Sequence, residues 1–163
     1  MRLLTILQTI VTQLGEIWTK IRKLNHYWST TETLTVSTTN GSGYTVSSAT
    51  CQIDGNMANI VIQFKMSAKK TAGTSIRAKV CALTITGWTN VCSDDTWVMQ
   101  TTTGINGTTG PLITGQLLNT ARTNANTMTC NFYLGGNVAG ATNTTDTYIF
   151  RFITPVPRKI TLS

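Results

Sequence analysis

Charge is scarce in this 163-residue chain: Asp, Glu, Lys and Arg make up 12% of it, against about 25% in ordinary soluble domains. Only six residues are acids, Glu16, Glu32, Asp54, Asp94, Asp95 and Asp146, and His26 is the single histidine. An acid–base pair therefore has few places to come from. Glu16 stands four residues before Lys20, in the order that supports a helix. Asp54 belongs to a turn, and the neighbours Asp94 and Asp95 diverge rather than flank a bond. His26 reads as a surface group near a helix C-terminus. GxSxG, Walker, HExxH and dinucleotide motifs are absent, so no enzyme is expected. The four cysteines, Cys51, Cys81, Cys92 and Cys130, form no CxxC pair, which argues against zinc; no metal or cofactor is expected. No stretch approaches the ~20 apolar residues of a membrane span. A secretion signal fits poorly, because Gln8, Thr9, Thr12 and Gln13 interrupt the first apolar stretch.

What the chain does have begins at once. Leu3, Leu7, Ile10, Leu14, Ile17, Ile21, Leu24 and Trp28 follow one another in steps of four and three. That is the apolar seam of a coiled coil, since a 3.5-residue repeat keeps one line facing a partner helix. With Leu7, Leu14, Ile21 and Trp28 at position a, position d holds Leu3, Ile10, Ile17 and Leu24. Leu at a with Ile at d disfavours two strands and favours three or four. Leu4, Val11 and Trp18 widen the stripe at position e. A helix of this length spans roughly 40 Å, so the sequence predicts an oligomeric stalk, a trimer first and a tetramer next. The plainer alternative is a helix lying across its own β domain.

After Trp28 the periodicity changes to alternation, and Thr, Ser, Asn and Gly take over the surface. The expected organisation is a stalk over 1–28, a neck over 29–42 and a β head over 43–163. Tyr44 to Ile53 and Met57 to Ser67 read as strands around the Asp54-Gly55-Asn56 turn, a hairpin signal. Ile76 to Thr86, Thr127 to Leu134 and Thr147 to Thr154 alternate similarly. Pro111 to Leu118 reads as a short or edge strand, and the Thr- and Gly-rich residues 101–110 and 135–145 read as loops. Seven or eight short strands imply a mainly β fold: an antiparallel sandwich, jelly-roll-like or barrel head. Cys51, Cys81 and Cys130 fall on apolar sides of strands and are expected as free, buried thiols.

The net charge of +7 invites a nucleic-acid reading, but Lys20, Arg22 and Lys23, Lys69 and Lys70, and Arg158 and Lys159 are dispersed, with no basic arm or RNA-binding aromatic motif. Attraction to an anionic cell surface accounts for the same charge. The most site-like stretch is Trp88 to Trp97. Its two tryptophans offer flat apolar faces to a sugar, while Asn90, Asp94 and Asp95 offer groups for hydroxyls. The competing reading makes both tryptophans core plugs and the aspartates turn caps. Arg122 is a further candidate for a charged group on a glycan, or else a solvated loop cation.

The heptads from Leu3 to Trp28, the hairpin from Tyr44 to Ser67 and the aromatic closing stretch from Asp146 to Pro155 together resemble the receptor-binding proteins of tailed bacteriophages. The likeness is one of pattern over most of the chain, and the β-prism neck found in some members is absent. It implies a homotrimer in the tail tip or baseplate of a virion, assembled in the host cytoplasm. Its helices dock onto other tail or baseplate proteins, and its heads bind cell-wall or surface polysaccharide for host attachment. The alternative functions are a structural virion subunit (tail, decoration or capsid protein) and, more remotely, a C1q- or tumour-necrosis-factor-like ligand.

Overall fold

The computed structural model describes residues 2–29, 31–87, 101–106, 113–124, 126–137 and 142–156. One helix, α1 (Arg2–Ser29), precedes eight strands: β1 (Thr31–Asn40), β2 (Tyr44–Asp54), β3 (Met57–Met66), β4 (Ser75–Thr86), β5 (Thr101–Asn106), β6 (Ile113–Asn124), β7 (Thr127–Asn137) and β8 (Tyr148–Pro155). The mainly β architecture with an N-terminal helix is the one expected.

All strand pairs are antiparallel, and the order β1-β2-β3-β8-β5-β6-β7-β4 closes into a barrel. Closure depends on two strands that change partners midway. Residues Thr31 to Leu34 of β1 pair with β2, whereas Thr35 to Asn40 pair with β4. Likewise Thr101 to Gly104 of β5 pair with β6, and Ile105 and Asn106 pair with β8. The strands β4-β7-β6-β5 form a Greek key, the three consecutive strands β5, β6 and β7 lying beside the earlier β4. Gly55, at φ 57°, supplies the left-handed residue that the tight β2–β3 turn needs.

Four sequence expectations change here. Residues 135–137, read as the start of a loop, are the last three of β7. Residues 29–42, read as a neck, contain β1, which is part of the barrel wall. Residues 101–106, read as loop, are β5: a strand built of Thr101, Thr102 and Thr103 has β-branched backbone preference without apolar alternation to reveal it. The presumed short or edge strand at 111–118 is β6, twelve residues long and paired on both sides. Its alternation is concealed because the inward position before Leu117 is Gly115, whose added Cβ would collide with the rings of Phe150 and Phe132.

Those rings define the core. Phe64 on β3, Phe132 on β7, and Tyr148, Phe150 and Phe152 on β8 are fully buried. Phe132 and Phe150 meet at 4.9 Å between centroids, and Phe64 stacks on Tyr148 at 5.6 Å. Ile53, Ile60, Ile62, Leu83, Ile85, Met128 and Leu134 fill the remaining interior. A bulge at Val80 turns that residue and Cys81 inward together. At the same place Gly41 N–H donates to the Val80 carbonyl at 2.6 Å, seating the β1–β2 turn against β4.

Candidate functional site

The helix shows its seam to solvent. Leu3, Leu7, Ile10, Leu14, Ile17 and Ile21 are 46–73% exposed, and no described strand packs broadly against α1. Leu24 is half-buried, and the Trp28 side chain lies outside the described part. Thr9, Thr12 and Thr19 fold their hydroxyls back onto the carbonyls of Thr5, Gln8 and Gly15 at 2.9–3.0 Å, which lets threonine remain in a helix. Arg22 lies 5.7 Å from the Trp18 ring centre, a cation–π approach that leaves the seam itself untouched. No described helix is long and apolar enough to cross a membrane.

The Trp88 to Trp97 segment, with Asn90, Asp94 and Asp95, lies outside the described residues, as does Cys92. Arg122 belongs to β6, opposite Met128, and its side chain is likewise outside the description.

It does assemble a surface that pattern reading missed. On the outer face of β4, β7 and β6 lies a groove of about 590 Å³, within the usual size range of ligand sites. Arg77, Thr114, Gln116, Leu118 and Tyr133 line it, over a floor at Gly135 and Gly136. The register explains the convergence: Gly135 pairs with Arg77 on one side and Thr114 on the other, and Gln116 lies opposite Tyr133. Gly136, at φ 108°, holds a conformation suited to glycine. Gly135 has no such requirement, and a Cβ there would point into open space. The only local signal was the Gly-Gly pair ending the β7 alternation; the partners on β6 and β4 lie 17 to 58 residues before Gly135 and converge only through folding.

Among the described residues that line it there is no Asp, Glu, His or Cys. Elsewhere, Cys51, Cys81 and Cys130 are buried free thiols, their pKa values pushed up to about 12 by loss of solvation. Thiols held protonated in this way are poor nucleophiles and poor metal ligands. Among the described residues no three His, Cys, Asp or Glu side chains are placed to hold a metal ion.

No family model, curated protein or solved structure matches the chain.

Proposed function

We propose that this chain is a virion attachment protein of the tailed-phage receptor-binding kind. Three copies join through α1 as a parallel coiled coil docked on tail or baseplate proteins, and their β barrels bind host surface polysaccharide without altering it. The observation that carries this reading is the exposed apolar seam of α1. A line of Leu and Ile left in water is costly, and partner copies of the same helix cover it at matching heptad positions. Low charge and a hydroxyl- and amide-rich barrel surface suit a particle exterior. Three heads held in one direction convert weak sugar contacts into firm attachment, because the second and third become intramolecular.

The deciding experiment combines light scattering on the purified protein with its adsorption to bacterial cells and their isolated polysaccharides. A trimer that adsorbs supports the reading, and a monomer at micromolar concentration ends it. One observation favours a structural virion subunit instead. Ile149 and Ile153, 43% and 49% exposed, stand on the outer face of β8, where a neighbouring subunit would cover them. A trimer that adsorbs to no cell or polysaccharide supports that second role.

A further inference from the structure

We propose that the groove on β4, β7 and β6 binds an acidic saccharide unit, one carrying a carboxylate or phosphate substituent. This rests on the attachment function above and gives it a place and a ligand chemistry. Its first support is position. The chain enters the barrel from α1 at Thr31, which pairs with Asp54. On β4, Thr86 lies opposite Thr35 near that end, and Arg77 stands nine residues further away. At about 3.4 Å per residue this places Arg77 roughly 30 Å along β4 from its stalk-side end, measured along a strand that tilts to the barrel axis. The groove therefore lies towards the end of the barrel remote from the stalk.

The second support is the donor inventory. Arg77 brings a guanidinium, Gln116 an amide, and Tyr133 and Thr114 one hydroxyl each, and none of the described lining residues is a carboxylate. A site rich in N–H and O–H donors selects a ligand rich in acceptors. The flat fork of an arginine matches two oxygens of a carboxylate or phosphate together. Lys79, exposed on the same face and opposite Tyr133, adds positive potential without lining the groove.

The third support is shape and apolar surface. Tyr133 and Leu118 offer faces to the C–H surface of a sugar ring. Next to Tyr133, on the side away from Leu118, the backbone at Gly135 and Gly136 is bare. The volume that a Cβ on Gly135 would begin to fill is open, although nothing in the backbone there demands glycine. A side chain at this position would occupy the ligand's space and leave the barrel intact.

Surface plasmon resonance of the intact protein over immobilised oligogalacturonate, phosphomannan and dextran tests the proposal. The expected result is binding to one or both acidic polymers and none to dextran, with the polymer bound distinguishing carboxylate from phosphate. Gly135→Leu should abolish the signal at unchanged thermal stability. Arg77→Gln should weaken it by about tenfold, the usual worth of a charge-assisted contact. Arg151→Gln, an equal charge change on the outer face of β8, should leave it unaltered. Gln116→Glu, which sets a carboxylate in the groove without changing its size, should also abolish binding and serves if the leucine variant fails to fold. Equal binding to dextran, no binding to either acidic polymer, or acidic binding that survives Gly135→Leu or Gln116→Glu overturns the proposal. Failure of the attachment reading is seen separately, as a monomer in light scattering or as a trimer that adsorbs to no cell or polysaccharide. A trimer whose cell adsorption is indifferent to Gly135→Leu removes the groove alone.

Discussion

Gly115 and Gly135 sit on adjacent rungs of the β6–β7 ladder and face opposite media. An added methyl at Gly115 meets the rings of Phe150 and Phe132, whereas at Gly135 it meets nothing. Gly115→Ala should therefore lower stability by roughly 1–3 kcal/mol through overpacking. Gly135→Ala should stay within about 0.5 kcal/mol of the parent. Urea unfolding midpoints measure both, and equal values would contradict the packing around Phe150. Cys51, Cys81 and Cys130 carry a second expectation. Their folded pKa values of about 12 lie above the ordinary thiol value of 9.0, so the native state holds thiol protons that the unfolded chain releases first. Their stabilising effect is complete below about pH 9 and is lost as pH rises from there through 12. The slope is at most roughly 1.4 kcal/mol per pH unit for each thiol. Unfolding midpoints should fall across that window, less steeply in Cys130→Ala, and at neutral pH all three thiols should react with maleimide only after denaturation. Burial of the cysteines was legible because each has apolar neighbours at alternate positions. The role of Gly115 was not, since a residue without a side chain gives no sign of which way it faces.

At the scale of elements, α1 carries its own instructions: the heptad repeat is local and needs no partner strand to be read. Ile17 occupies a d position and is 52% exposed in the single chain. Ile17→Asp places a carboxylate in the seam, where its lost hydration has no compensating partner. Sedimentation equilibrium should find the assembly dissociated at micromolar concentration, and an unchanged mass would show that the seam is not the contact. Gly15, at the outward position b, has open space around its missing Cβ. Gly15→Ala should stabilise each helix by about 1 kcal/mol and raise the melting temperature of the 222 nm signal. Strands β2, β3, β4, β7 and β8 were readable from alternation because one face is apolar and the other polar. β5 and the full length of β6 were not, since threonine and glycine occupy positions where apolar residues would have marked a face. The register that brings Arg77, Gly135 and Thr114 together is a long-range property and leaves no trace in any one segment.

At the scale of the whole molecule, the buried core draws only on the barrel, with no contribution from the described side chains of α1. A chain beginning at Thr31 should keep its β circular dichroism, lose self-association and retain sugar binding in solution. Its adhesion to whole cells should fall by about 10²–10⁴, the usual loss when linked sites are separated. A collapse of the β signal would mean instead that the heads stabilise one another, with Ile149 and Ile153 the first residues to examine. The route from stalk to barrel has a mechanical consequence. Only residue 30 separates α1 from β1, so a pull on α1 enters the barrel at Thr31. β1 is held by β2 along its first four residues and by β4 along its last six. Tension along the strand axis strains many rungs together, in shear and against two neighbours, rather than opening them one after another. Forced unfolding is governed by the unfolding rate, and this geometry makes the first rupture a collective event. Where β1 changes partner, a load carried through α1, of the kind the proposed attachment role implies, is shared between β2 and β4 before either pairing can peel.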